Sequence, residues 1–210
     1  MLRNLLNFIK MITTEAKFKN YSIFLTKLKE LGIDVEPLDQ NLREKLMNAP
    51  YAYSNEMGLA YDGCLLQNIV RVFTPYAIKV NESLPEDIRA DKNSLLKVCL
   101  LHQISKAVTF EKNNNQWEVN NRGLVYRFAK VPGSLKTGMR SLIMCQNLGI
   151  TFTEVEAEAM IVMDRDENDT QVKFYSSNLS TVLKVANELT FLQNRLEKLN
   201  ETLGKTSTNE

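Results

Sequence analysis

The sequence predicts an all-α protein carrying one small β-hairpin. Apolar residues recur at helical spacing along most of the 210 residues, and only 8 Gly and 5 Pro interrupt them. A single polar-aromatic run around Asn113-Asn114-Asn115 breaks that rhythm and reads as a hairpin. With 44% apolar residues, the chain is long enough for one well-buried domain plus an appendage. Residues 1–50 are read as an amphipathic helical extension, 51–200 as the main helical domain and 201–210 as a polar tail.

The elements follow in order. Leu2, Leu5, Leu6, Ile9 and Ile12 share one helical face, and Tyr21 to Leu31 repeats the pattern with Gly32 as its stop. A short helix over Asn41–Met47 ends at Pro50. Leu65 to Val80 reads as a helix in which Pro75 enforces a kink or a restart. Asp91-Lys92-Asn93-Ser94 caps an apolar helix expected from Leu95 to Thr109, and the hairpin spans Phe110 to Val119. Beyond the Pro132-Gly133 loop a helix is expected over Arg140–Leu148. Thr153 with Glu156 three residues on forms a capping box for the helix running to Met163. The acidic run Asp164 to Asp169 follows, and a long helix closes the pattern from Asn178 to about Leu199.

Composition excludes several functions. Lys+Arg 26 against Asp+Glu 25 leaves a formal charge of +1, so no overall field favours nucleic acid. Cys64, Cys99 and Cys145 lie far apart among apolar neighbours, which fits reduced core thiols of a cytosolic protein rather than zinc or disulfides. No apolar run reaches the roughly 20 residues of a membrane span. Asn4, Asn7 and Lys10 interrupt any signal-peptide core. The N-terminal stripe is read as packing on the main domain or on another subunit, in preference to lying on a membrane.

Several segments, in shared order, carry a resemblance. Tyr61-Asp62-Gly63-Cys64-Leu65-Leu66 is similar to an entry motif "DGGLL". Leu100-Leu101-His102-Gln103-Ile104-Ser105-Lys106-Ala107 is similar to "LLHDIxKA", and Lys136 to Ser141 stands in the place of "GHGEKS". Thr153 to Asp164 looks like a helix ending in "RWH", and Ala186-Asn187-Glu188-Leu189 stands for "ADEL". From about Tyr61 to Leu192 the chain thus resembles the HD-domain superfamily of metal-dependent phosphohydrolases, in a branch common in bacteriophages and mobile elements of gut bacteria. The resemblance implies an HD-domain-like helical bundle. Its metal-binding positions fall on Asn68, His102 with Gln103, Thr137, Met163 and Asn187.

Of that set only His102 keeps a ligating side chain, and it is the only histidine in the sequence. The two carboxylate positions hold amides, which retain shape and hydrogen-bonding capacity but supply no negative charge to a divalent ion. A replacement site would have to draw on Asp62, Asp164 or Asp166. No cofactor or metal is therefore expected, and the chain is not expected to be an enzyme. His102 is expected to be a core histidine bonded to Asn187 or Asn68. Lys106, Arg122, Arg127, Lys130, Lys136 and Arg140 are either phosphate contacts or ordinary surface charges, and Met139, Met144, Met160 and Met163 are core filling. Cys99, three residues before His102, is a buried thiol with no orienting group and no nucleophile.

Two functions remain. One is a non-catalytic structural or assembly protein whose partners are other protein subunits, as a homo-oligomer or within a larger assembly. Its candidate interface is Leu2, Leu5, Leu6 and Ile9 at one end and Leu192, Leu196 and Leu199 at the other. The phage-like branch implies a virion subunit such as a ring, connector or tail component, located in the virion or the host cytoplasm; otherwise the chain is cytoplasmic. The other function is a ligand-sensing pseudo-phosphohydrolase that binds a nucleotide or phosphate without hydrolysis.

Overall fold

A computed structural model describes residues 12–55, 58–133, 135–163 and 177–206, with side chains as far as Asn200. Helix α1 (Thr14–Glu30) starts where the Thr13 side chain accepts from the Ala16 N–H. It ends as Gly32 takes φ 74° while the Ile33 and Gly32 amides close back on the Leu28 and Lys29 carbonyls. Helix α2 (Glu36–Asn48), with Pro37 in its first turn, is longer than the sequence pattern indicates. Tyr21, Phe24 and Leu28 of α1 and Leu38, Leu42, Leu46 and Met47 of α2 are buried in the same apolar cluster as the rest of the chain.

Residues 64–83 form one stem in three parts: α3 (Cys64–Asn68), a π-helical turn over Ile69–Phe73 and α4 (Thr74–Ser83). Pro75 lacks an amide proton and its ring crowds the carbonyl four residues back, so the kink expected there is taken up as a widened turn just before it. A 3-10 turn over Glu86–Ile88 leads to α5 (Lys92–Leu101), whose N-cap Asp91 accepts from the Ser94 N–H. Helix α5 is the central element, with Val98, Cys99, Leu100 and Leu101 wholly buried.

Two expectations need correction. The helix that the pattern runs from Leu95 to Thr109 breaks after Leu101, and α6 (Lys106–Thr109) resumes it beyond a tight turn. Within that turn Ile104 and Lys106 donate three residues back, to Leu101 and Gln103, and the Ser105 N–H goes to the Ser141 hydroxyl. The hairpin is also displaced. Strand β1 (Phe110–Lys112) pairs antiparallel with β2 (Tyr126–Phe128), Glu111 facing Arg127, while Gln116–Arg122 between them is helix α7. Asn115, the third of the triple asparagine, caps α7 by accepting from the Trp117 and Glu118 amides, and Gly123 ends it at φ 64°.

Helix α8 (Thr137–Asn147) begins three residues earlier than expected. Helix α9 (Glu154–Val162) starts with the expected capping box. From Glu156 the Ser94 hydroxyl and the Lys97 ammonium (2.7 Å) each take one carboxylate oxygen, joining α9 to α5. Helix α10 (Asn178–Thr206) lays Leu179, Val182, Leu183 and Ala186 against α4, α5 and α9. The chain is thus mostly helical around one core, with a two-stranded sheet at its side. Among the described residues no helix is long and apolar enough to cross a membrane.

Candidate functional site

The turn between α5 and α6 places His102 and Gln103 inside the molecule, 2% and 7% exposed. His102 Nδ1 lies 3.1 Å from both the Val98 and the Cys99 carbonyl oxygens. Those oxygens can only accept, so Nδ1 carries the proton and donates to its own helix. The expected bond from His102 to Asn187 or Asn68 is not formed, because the helix end supplies nearer acceptors. The ring packs against Phe73 of the π turn, tilted by 38° with centroids 4.7 Å apart. Burial, aided by the Lys106 charge, pushes the His102 pKa down to about 4, so the ring is neutral at pH 7.

Gln103 donates through Nε2 to the Tyr51 hydroxyl at 3.1 Å, and the Lys106 ammonium sits 3.6 Å over the Tyr51 ring. Ser105 ties the same turn to α8: its hydroxyl donates to the Thr137 carbonyl and accepts from the Ser141 hydroxyl. Tyr51, Ser105 and Ser141 thus hold the turn, and none of them stands out in the sequence. Cys64, Cys99 and Cys145 are buried thiols outside any disulfide; burial raises the thiol pKa of Cys99 and takes that of Cys145 to about 12, so both stay protonated.

Asn68 is buried at the end of α3. Thr137 opens α8, Met163 is half-buried just past the end of α9, and Asn187 is half-buried on α10. No hydrogen bond among the described residues joins two of Asn68, His102, Gln103, Thr137, Met163 and Asn187. Asn68 Oδ1, His102 Nε2 and Gln103 Oε1 are buried without a hydrogen-bond partner, as is Asn194 Nδ2 on α10. A cavity of 70 Å³ includes Asn68, Asn194, Tyr61, Glu197 and Lys198 in its lining but none of the other five positions. Among the described residues no group of three or more His, Cys, Asp or Glu converges to hold a metal. Asp62 is already engaged, accepting from the Tyr126 hydroxyl (2.6 Å) and Lys112 (3.0 Å); Asp164 and Asp166 lie outside the described residues.

The basic side chains proposed as phosphate contacts are largely committed nearby. Arg127 pairs with Glu111, Arg122 with Glu118, and Arg140 donates to the Pro132 and Leu135 carbonyls. The α10 face is different in character. Leu192, Leu196 and Leu199 are 53%, 49% and 52% exposed, and Val185 is 44% exposed on the same side. Leu2, Leu5, Leu6 and Ile9 lie outside the described residues. A second apolar group, absent from the sequence reading, joins the exposed Tyr53 and Phe128 to the half-buried Phe110 at the hairpin, with ring centroids 5.3–6.3 Å apart. Comparison with protein-family models, curated proteins and solved structures finds no match to this chain.

Proposed function

We propose that the chain is a non-catalytic assembly protein that binds other protein subunits through its surface helices. The observation carrying this reading is the row of half-exposed apolar residues, Val185, Leu192, Leu196 and Leu199, on one face of α10. Scattered single apolar residues on a surface are ordinary, whereas an aligned row marks an interaction site. The concrete form implied by the resemblance is a phage virion component, a ring, connector or tail subunit, on an HD-like scaffold whose ligand positions have become amides, Thr and Met.

A ligand-sensing role is the second reading. In its favour are the unpartnered polar atoms of Asn68 and Asn194, both on residues that line the 70 Å³ cavity. Against it is size, since small-molecule pockets typically run from about 300 Å³ upward. The Asn68 acceptor and the Glu197 carboxylate are also poor hosts for a phosphate.

The two readings part in one experiment, with light scattering as the assay of assembly. The surface variant Leu192→Asp with Leu199→Asp should abolish assembly while circular dichroism stays helical. The triple variant Asn68→Ala, Gln103→Ala, Asn187→Ala, provided that it folds, should leave assembly intact. Loss of assembly in a folded triple variant, with the surface variant unaffected, would put the function in the interior.

A further inference from the structure

Helix α10 has two apolar faces, and they follow different rules. Leu179, Val182, Leu183, Ala186 and Thr190 are buried against the body of the protein, in the broad stripe of a core-facing helix. On another face stand Val185, Leu189, Leu192, Leu196 and Leu199, and in the sequence the series continues to Leu203. The steps alternate four and three residues without a break, which is the 3.5-residue repeat of a coiled-coil seam. From Val185 to Leu199 the seam extends about 21 Å at 1.5 Å per residue.

We infer that this seam pairs with the same seam of a second copy of the chain, as a parallel, in-register two-stranded coiled coil. The inference rests on the assembly reading above and names its partner. A knobs-into-holes seam requires an opposing helix with the same repeat, and a second copy supplies one with no change of register. The flanking residues choose the direction. With Leu189 and Leu196 as a positions, the positions beside the seam are Glu188 and Arg195 on one side and Gln193 and Asn200 on the other.

In the parallel arrangement Arg195 meets Asn200 of the second copy, and Glu188 faces Gln193, whose amide is held within its own chain by the Tyr76 hydroxyl and Glu197, so no like charges face each other. In the antiparallel arrangement that layers Leu192 on Leu196, Arg195 stands against its own symmetry mate, which is unfavourable. The usual difficulty of so short a coiled coil, ordering the helix, is relieved because the buried face already holds the first half of α10 in place.

The test uses the full chain. Light scattering or sedimentation equilibrium should give a dimer, and Leu192→Asp with Leu196→Asp should weaken the association by at least roughly 100-fold while helix content persists. Since the three native cysteines are buried, Leu196→Cys offers an accessible thiol. Mild oxidation should link it to its equivalent on the second copy, which only parallel in-register pairing brings together. A dimer in which Leu196→Cys does not link overturns the parallel register. A dimer indifferent to the Asp substitutions places the contact elsewhere and overturns the seam, leaving the assembly reading intact. A chain monomeric at every concentration overturns self-pairing; if the Asp substitutions then also leave binding to a defined partner subunit unchanged, the assembly reading falls with it.

Discussion

Because the His102 ring gives its Nδ1 proton to two carbonyls of its own helix and lies under Phe73, the folded protein holds it neutral well below the usual range. The unfolded chain protonates this histidine near 6.5, the folded one near 4. The unfolded state therefore binds more protons between those values, and stability falls as pH drops from about 6.5 to about 4, by roughly 3 kcal/mol in all. Glu156 acts lower. Burial raises its pKa, but Lys97, the Thr153 amide and Ser94 together outweigh that and hold it below the ordinary 4.5, so its contribution is lost as pH falls through the folded value. His102→Gln should cost about 1–3 kcal/mol at pH 7.5 by breaking the buried bonds. The gap to the unsubstituted chain should narrow at pH 5, because the variant has no imidazole left to protonate. Urea midpoints at the two pH values check this, and two curves that decline in parallel would refute it. At this scale the sequence exposed His102 and Gln103 as buried residues through the apolar helix around them. It could not expose Tyr51 or Ser141, since they are common residue types brought to the turn by chain segments 52 and 36 positions away.

Local signals with a mechanism were legible at the scale of elements. Thr153 with Glu156, Asp91 before α5 and Gly32 after α1 each satisfy helix-end groups by short-range hydrogen bonds, so sequence order alone reveals them. Where the outcome depends on contacts from elsewhere, reading failed. The apolar pattern from Leu95 to Thr109 is unbroken, yet the Ser105 amide bonds Ser141 on α8 and the helix stops. In the hairpin, Asn113-Asn114-Asn115 read as a turn because Asn favours turns, and the same property makes Asn115 an N-cap that launches α7 in place of a second strand. Gly63, at the entry to α3, is a glycine that the fold requires. It takes φ 84°, and an added Cβ would sit 2.9 Å from Lys17 Cγ and 3.1 Å from the Met47 carbonyl oxygen. Gly63→Ala should lower stability by at least about 1–2 kcal/mol from the left-handed backbone alone. Gly58→Ala, at φ 68° with open space around it, should cost no more than the backbone share. Equal melting temperatures for the two variants would show that the stem does not press on α1 and α2 at this point.

For the whole molecule, the apolar cluster does not respect a boundary near residue 50. Phe24 and Leu28 on α1 and Leu38 and Leu46 on α2 are fully buried, in one cluster with Leu65, Phe73, Leu100 and Ile104. A long-range bond reinforces the union: Arg71 Nε, beyond that boundary, donates to Asn20 on α1. Removing α1 and α2 would strip cover from α3, α5 and α6, and each fully buried Leu or Phe left exposed forfeits roughly 1.5–3 kcal/mol. Set against the 5–15 kcal/mol by which such domains are typically stable, losing four such side chains is enough to unfold the remainder. The full chain should accordingly unfold in one cooperative transition, with near-ultraviolet and far-ultraviolet dichroism melting together. A truncated chain beginning at Tyr51 should lose its near-ultraviolet signal and bind a hydrophobic dye at neutral pH. The exposed residues Val185, Leu192, Leu196 and Leu199 of α10 are not among its core contacts, so this loss of folding is separate from loss of association. If residues 51–200 instead melt cooperatively on their own, the first two helices are an appendage after all, and the exposed surface of α3 and α5 in the truncated chain becomes the place to look for their docking site.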